Sequence, residues 1–202
     1  MTAAVTGTEW AGGRVNQKVR TRAAIVQAAA ELSRTGREVT MPEIARVALV
    51  SEATAYRYFP DLASLLGEVI AELLPNAAEA LDRVADPEDP VARVAAVTEF
   101  LLRHVLSRQG VVRTLIAATI VRPGQPHARP GLRFGLIDQA LAPLDDGFAR
   151  PDAVTRLKRD LSVVVSAEAL FSLIDLHGLH PEEAIGSIVH TAVTLTRAEL
   201  SI

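Results

Sequence analysis

Residues 40–66 read TMPEIARVALVSEATAYRYFPDLASLL, and this stretch decides the fold. Glu43 follows Thr40 at the spacing of a capping box, so a helix is predicted to begin directly after Thr40, with Pro42 tolerated in its first turn. Ser51 has the side chain of a second N-cap and predicts another helix from Glu52 to Phe59. The stretch therefore encodes two short helices joined by a tight turn.

Helices this short are unstable alone in water and need a partner. Upstream, an apolar stripe at helical spacing predicts a third helix that completes a shared core; it consists of Ile25, Ala28, Ala29 and Leu32. Downstream, Asp61 is placed to cap a further helix whose apolar stripe runs to Leu74. That helix has to face both the three-helix unit and the rest of the chain, and so links them.

The pattern V-S-x-x-T-x-Y-R-Y-F-P-D followed by a Leu-Leu pair resembles the DNA-binding domain of TetR-family transcriptional regulators. The residues that carry the resemblance are Val50, Ser51, Thr54, Tyr56, Arg57, Tyr58, Phe59, Pro60, Asp61, Leu65 and Leu66. The resemblance extends from about Arg20 to Ile70. It implies a helix-turn-helix that binds double-stranded operator DNA as a homodimer, and repression until a small-molecule effector occupies the C-terminal domain.

Three positions depart from the family pattern. Leu49 stands where the turn usually has Gly, which costs on the order of 1 kcal/mol if the residue has a positive φ. Ala53 also replaces a common Gly, a change that favours helix. Leu62 replaces a Lys that usually contacts a phosphate, so one backbone contact is predicted to be missing and the operator affinity or its salt dependence to be lower.

The composition predicts an all-α protein. Of 202 residues, 49% are hydrophobic and only 4% aromatic, a balance dominated by Ala, Leu and Val, and no strand-like alternation or internal repeat is present. We expect an N-terminal three-helix helix-turn-helix domain plus a C-terminal helical domain for ligand binding and dimerisation. The expected boundaries are a flexible N-terminal arm at 1–16, the DNA-binding domain at 17–60 and the regulatory and dimerisation domain at 61–202.

Several classes of protein are excluded by what the sequence lacks. It has no uncharged apolar stretch long enough for a membrane span and no secretory signal, and the absence of cysteine fits a reducing compartment, so a cytoplasmic location is expected. No phosphate-binding Gly motif, Cys nucleophile or G-x-S-x-G elbow points to an enzyme, and no cofactor is expected. His177, His180 and His190 lack an acidic ligand at a diagnostic spacing, so no metal site is expected either.

The charge is distributed unevenly along the chain. The net charge is −3, yet residues 1–60 contain eight Lys or Arg against five acids. A basic N-terminal unit on an acidic body is typical of a DNA-binding domain attached to a regulatory domain, although a chance fluctuation of a few charges would look the same. Within the N-terminal segment, Arg14, Lys18, Arg20 and Arg22 either contact phosphates or the minor groove or belong to a solvated tail.

In a helix-turn-helix the second helix enters the major groove, and its first turn faces the base edges. Ala55 and Phe59 are predicted to be buried, so the opposite face is the candidate contact surface. By resemblance, the phosphate contacts are Thr40, Ser51, Thr54 and Tyr56, and the positions that face bases are Glu52, Ala53 and Tyr58. Arg57 either pairs with guanine or neutralises a phosphate. For Tyr56 and Tyr58, packing with the hydroxyl in water is the alternative.

Two C-terminal segments are apolar on more than one face. One is predicted as a single long helix from Asp152 to about Leu176, and the other runs from Pro181 to about Leu200. An antiparallel pair packed against the same pair of a second copy would bury both faces. The candidate interface residues are Leu161, Val165, Leu173, Ile188, Ala192 and Leu195. The alternative is that the pair is buried in a monomer's core.

A ligand cavity is expected between the linking helix and the central helices. Candidates are polar or bulky residues on otherwise aliphatic helices: Phe100, His104, Arg113, Phe134, Glu168 and Phe171. The alternative for each is that it belongs to the core or the surface and does not bind a ligand. For His104, the alternative is a hydrogen-bonded histidine in the interior. With few aromatic residues, a largely aliphatic pocket for a hydrophobic or amphipathic molecule is predicted.

The function expected from the sequence is a DNA-binding transcriptional regulator, a repressor released from a palindromic operator by such a ligand. The alternative is an architectural DNA-binding protein, or an activator without small-molecule control.

Overall fold

The computed structural model describes residues 9–34, 39–72, 76–121, 131–144 and 151–200. The regular elements in these ranges are all helical, which confirms the predicted all-α class. A 3₁₀ turn at Ala142–Leu144 follows α8. The helices are α1 Glu9–Ser33, α2 Met41–Val47, α3 Glu52–Tyr58, α4 Leu62–Glu72, α5 Ala77–Leu81, α6 Pro90–Ser107, α7 Gln109–Val121, α8 Leu132–Leu141, α9 Pro151–Val164, α10 Ala167–Asp175 and α11 Pro181–Leu200.

The first helix begins earlier than the sequence suggested. Residues 9–16 belong to α1, so this part of the expected flexible arm is helical, and residues 1–8 lie outside the described residues. The run EWAGGRVN has no apolar periodicity to reveal a helix. Lys18, Arg20 and Arg22 therefore lie on a helix that is continuous with the buried Ile25.

The caps predicted from the sequence are present. The Glu43 carboxylate accepts from the Thr40 backbone N–H at 3.2 Å and from its hydroxyl at 2.8 Å. Ser51 Oγ accepts from the Thr54 N–H at 3.2 Å, and Asp61 Oδ1 accepts from the Ser64 N–H at 2.7 Å. The bonds from the Thr40, Thr54 and Ser64 amides satisfy N–H groups at helix starts, where the helix itself offers no acceptor four residues back.

The turn between α2 and α3 is built around an unusual backbone conformation. Leu49 has a φ of 55°, and its side chain is 92% exposed. The condition under which the sequence predicted a cost at this position, a positive φ, is therefore met. A residue with a Cβ is strained here, and the exposed side chain makes no packing contribution that offsets the strain.

Helices α1 to α4 enclose a buried cluster, the N-terminal core, that continues past the boundary expected after residue 60. Its members include Ile25 of α1, Ile44 of α2 and Phe59 after α3. Leu65, Leu66, Val69 and Ile70 of α4 complete it together with Val111 and Leu115 of α7. Helix α7 thus inserts into the N-terminal unit, although some forty residues separate it from α4.

The remaining helices form the C-terminal core, in which α6 packs between α8 and α11. Val112 of α7 packs against both cores. The predicted single helix from Asp152 to Leu176 is wrong, because α9 ends at Val164 and α10 begins at Ala167. Ser166 caps α10, its Oγ accepting from the Ala169 N–H at 3.1 Å. A serine in this apolar run was the signal for the break.

Among the described helices, none combines the length and apolarity that crossing a bilayer would require.

Candidate nucleic-acid interface and ligand cleft

Helix α3 has one buried and one exposed face, as the sequence predicted. Ala55 is fully buried and Phe59 nearly so, and both belong to the N-terminal core. The opposite face presents the exposed side chains of Glu52, Ala53, Tyr56 and Arg57. Tyr56 is 48% exposed, so its ring and hydroxyl are accessible to a partner without any change in the core.

The three candidate hydroxyl residues lie at helix starts. Thr40 and Ser51 are exposed N-caps, and Thr54 is half-buried in the first turn of α3. Ser51 Oγ and Thr54 Oγ1 are 2.9 Å apart and hydrogen-bonded. These groups surround the N-termini of α2 and α3, where backbone amides and the helix dipole also favour an anion such as a phosphate.

The two tyrosines differ in environment. Tyr58 is half-buried and packs against the N-terminal core, and the Arg57 guanidinium lies 5.7 Å from the centre of its ring. Much of the Tyr58 side chain therefore serves packing, which was the alternative to contact with DNA. Tyr56 is not part of this packing. Leu62, in the place of the family's Lys, is half-buried against the same core.

Among the basic residues of the first helix, Arg22 has a structural role that sequence reasoning missed. Its guanidinium forms a two-point ion pair with Glu68 of α4 and lies 4.9 Å from the centre of the Phe59 ring. The signal was weak, because Glu68 lies far along the chain. Lys18, Arg20 and also Arg46 of α2 are exposed and remain the candidates for contacts with DNA.

A family model described as "Bacterial regulatory proteins, tetR family" matches residues 24–69, the segment that carries this surface. Residues 24–69 therefore contain a TetR-family helix-turn-helix DNA-binding domain. The matched residues run from α1 through most of α4 and include the caps Thr40, Ser51 and Asp61.

A curated relative of this chain is the nucleoid occlusion factor SlmA of Vibrio cholerae serotype O1, 30% identical over 104 residues. Those residues are 50% of this chain and 53% of SlmA, so the chain spans about half the length of the curated relative it matches.

Two solved structures share the fold. A TetR transcriptional regulator from Rhodococcus sp. RHA1 is 22% identical with a TM-score of 0.59, covering 89% of this chain and 97% of its own. A tetR-family transcriptional regulator from Streptomyces coelicolor is 20% identical with a TM-score of 0.62, covering 90% and 82%. The likeness extends over both the N-terminal unit and the helical body.

A cleft of about 110 Å³ lies where the two cores meet. Ile70 and Leu115 of the N-terminal core line it, as do Leu101 and Val105 of the C-terminal core. Its polar groups come from His104, Arg108, Arg133, Ser166 and Glu168. This is the position between the linking helix and the central helices that the sequence predicted for a ligand cavity.

The structure brings two of the six candidate ligand residues, His104 and Glu168, to this cleft. Phe100 and Phe171 pack in the C-terminal core, and Phe134 is exposed. Arg113 is engaged elsewhere, in an ion pair with Asp175 at 2.5 and 2.8 Å and 3.9 Å from the centre of the Phe171 ring. Arg108 and Arg133 were missed because both lie near helix ends, where a basic residue usually faces solvent.

The proposed dimer residues are mostly buried within one chain. Leu161, Val165, Ile188 and Ala192 are buried in the C-terminal core of a single chain, as the monomer-core alternative describes. Leu173 and Leu195 are half-buried. Sequence periodicity could not separate the faces, because α9, α10 and α11 carry aliphatic residues on the flanks of their buried stripes.

His180 lies at the start of a helix. The His180 N–H donates to the Glu183 carboxylate at 3.1 Å, and its Nδ1 accepts from the Glu182 N–H at 3.4 Å, so His180 caps α11. Over the ranges that the structure describes, no group of three potential metal ligands comes together.

Proposed function

We propose that this chain is a cytoplasmic TetR-family repressor that binds a palindromic operator as a homodimer and is released from it by a small hydrophobic or amphipathic molecule. One observation carries the proposal: a single cleft is lined by side chains of both cores, Ile70 and Leu115 from one and Leu101 and Val105 from the other. A molecule bound there contacts the DNA-binding unit and the body at once.

The exposed face of α3 supports contact with DNA. Tyr56 and Arg57 project from it, and Thr40 and Ser51 flank it at two helix N-termini. We infer that the hydroxyls and the amides of these first turns hold phosphates, while Glu52 and Ala53 face base edges. The exposed Lys18, Arg20 and Arg46 add the positive charge that phosphate binding requires.

Dimerisation supports specificity. A single helix-turn-helix reads too few base pairs to single out one genomic site, whereas a two-fold dimer places two reading helices about 34–36 Å apart on a palindrome. Since four of the interface candidates are buried, we infer that the second copy packs on the outer side of α10 and α11. Leu176 is 81% exposed there, and Leu173 and Leu195 are half-exposed.

Release follows from a difference in affinity. A ligand that binds the cleft more tightly when the two N-terminal units are out of register lowers the population that fits the operator. An architectural protein, or an activator without small-molecule control, gives such a cleft no role. This observation favours the ligand-released repressor over those alternatives.

The test begins with selection of genomic fragments that the purified full-length chain retains. A palindromic site recovered from them is then titrated in fluorescence anisotropy against a scrambled duplex of equal composition, at several salt concentrations. We expect the palindrome to bind more tightly by at least three orders of magnitude, with one dimer per site. Equal affinity for the two duplexes would rule out sequence-specific binding, and a monomer on the palindrome would rule out the dimer.

A further inference from the structure

The cleft between the two cores has an apolar wall of limited size. Val105, Val112, Leu115 and Ile116 contribute to it, and the volume is about 110 Å³. An engineered cavity of about 150 Å³ holds one benzene molecule. The apolar part of the occupant is therefore about the size of one ring or a short aliphatic chain.

One end of the cleft carries an arginine, Arg108, for which the described residues provide no acidic partner. Arg108 Nη1 lies 3.1 Å from His104 Nδ1 and donates to Ser107 Oγ at 3.0 Å. Its Nε–H is buried and donates to no partner in the described ranges, where no carboxylate pairs with this guanidinium either. Burial, and then the neighbouring positive charge of Arg34, lower the pKa of Arg108. The cation is thus held in surroundings that disfavour charge.

A second arginine lies on the same cleft and is only partly compensated. Arg133 is 3.6 Å from a Glu168 carboxylate oxygen, a distance longer than a good hydrogen bond. Its Nε is also buried without a partner. Among the residues that the structure describes, the cleft is lined by two guanidinium groups and one carboxylate, an excess of one positive charge beside an apolar wall.

We propose that the cleft binds a small organic monocarboxylate, with the carboxylate held by Arg108 and Arg133 and a short aliphatic or single-ring body against the apolar wall. This inference rests on the proposed function, because it names the ligand class of the same cleft. A planar carboxylate matches the paired donors of a guanidinium and supplies the one negative charge that the cleft lacks. A neutral molecule of the same shape leaves both Nε groups unsatisfied.

The bound anion also acts at the boundary between the two units. Arg108 lies at the start of α7, and Arg34 follows the end of α1 in the DNA-binding unit. A carboxylate bound to Arg108 offsets the repulsion between the Arg108 and Arg34 cations. This repulsion is largest when the cleft is empty. The liganded chain therefore has a different electrostatic balance between body and DNA-binding unit.

The test uses calorimetry on the full-length protein with two matched pairs of probes, hexanoate against hexanol and benzoate against benzyl alcohol. We expect each carboxylate to bind at least about tenfold more tightly than its alcohol. Arg108→Met keeps an unbranched, flexible side chain without the guanidinium charge and is expected to abolish that preference. Arg83→Met removes an exposed arginine that does not line the cleft, and is expected to leave the preference unchanged.

Four results would overturn the inference: equal binding of acid and alcohol, no binding of any probe, an unchanged preference in Arg108→Met, or inorganic phosphate binding as tightly as hexanoate. If Arg108→Met does not fold, the inference is tested with Arg133→Met and with the two probe pairs on the wild-type protein. Operator release is measured separately. Release of the operator by alcohols alone would reject the carboxylate as the ligand class and support the ligand-released repressor. Carboxylate binding that depends on Arg108 but does not release the operator would support the ligand class and reject the ligand-released repressor.

Discussion

Arg22 of α1 and Glu68 of α4 form a two-point ion pair that fastens the first helix to the linking helix, with the Arg22 guanidinium also over the Phe59 ring at 4.9 Å. Phe59 ends the segment that carries the DNA-binding face. One side chain thus holds together the helix that leads into the N-terminal unit, the end of α3 and the helix that leads out.

A double-mutant cycle with Arg22→Met and Glu68→Gln tests this contact. Both side chains are partly exposed, so we expect a coupling energy of about 0.5–1 kcal/mol that declines as salt is added. Urea denaturation of the wild type, the single variants and the double variant provides the measurement. Strict additivity of the two substitutions would mean that the pair does not stabilise the fold.

Leu49→Gly is expected to stabilise the protein, by up to about 1 kcal/mol, because glycine adopts positive φ without strain. Leu49→Ala is the matched control, since it removes the same exposed side chain and keeps the strained backbone. Its free energy of unfolding should stay within about 0.5 kcal/mol of wild type. Equal stability of the two variants would show that the turn relaxes around a Cβ.

Tyr56→Ala is expected to lower operator affinity by at least about tenfold while leaving the dimer and the melting temperature unchanged. The reason is that Tyr56 is exposed and outside the core. Tyr58→Ala is the comparison, because Tyr58 packs on the N-terminal core and its loss should lower the melting temperature. Anisotropy, sedimentation and thermal denaturation distinguish the two, and an unchanged affinity in Tyr56→Ala would remove it from the interface.

Leu62→Lys is expected to supply the phosphate contact that the sequence predicts to be missing at this position. We expect the slope of log affinity against log salt to steepen by about 0.9 for each new phosphate contact, twice that for a dimer on a palindrome. Leu62→Gln controls for the apolar packing that both variants lose at this half-buried site. Identical salt slopes for the two variants would place position 62 away from the DNA backbone.

Asp175→Asn is expected to remove part of the acid sensitivity of the fold. The Arg113 guanidinium lowers the pKa of Asp175 below its ordinary value of 3.8. A lowered folded-state pKa gives stability that is complete above that ordinary value and is lost as pH falls through the lower one. The variant should therefore be less stable than wild type at pH 6 and lose less stability on acidification, as measured by thermal unfolding from pH 6 to pH 2. Parallel pH curves would argue against the pair.

The sequence was most informative where a local signal determined the structure. The capping pairs Thr40–Glu43 and Ser51–Thr54, the buried positions Ala55 and Phe59 and the strained Leu49 all depend on residues within a few positions of one another. Such short-range geometry follows from residue type and spacing. The DNA-binding unit could therefore be predicted almost helix by helix.

The contacts that the sequence did not reveal are long-range. Nothing local marks Arg22 as a partner of Glu68, and nothing in the apolar run of α7 assigns Val111 to one core and Val112 to both. The dimer and ligand residues were hard to predict for the same reason. Helical periodicity identifies an apolar face but not the surface that covers it.

The insertion of α7 into the N-terminal core limits how freely this DNA-binding unit can be separated from its body. A fragment ending near residue 60, or even after α4, lacks Val111 and Leu115 and therefore part of the buried N-terminal core. To build a hybrid sensor by exchanging DNA-binding units between regulators, α7 would have to be transferred together with the donor's DNA-binding unit. Otherwise, the residues of α7 that contact this unit would have to be redesigned to fit it.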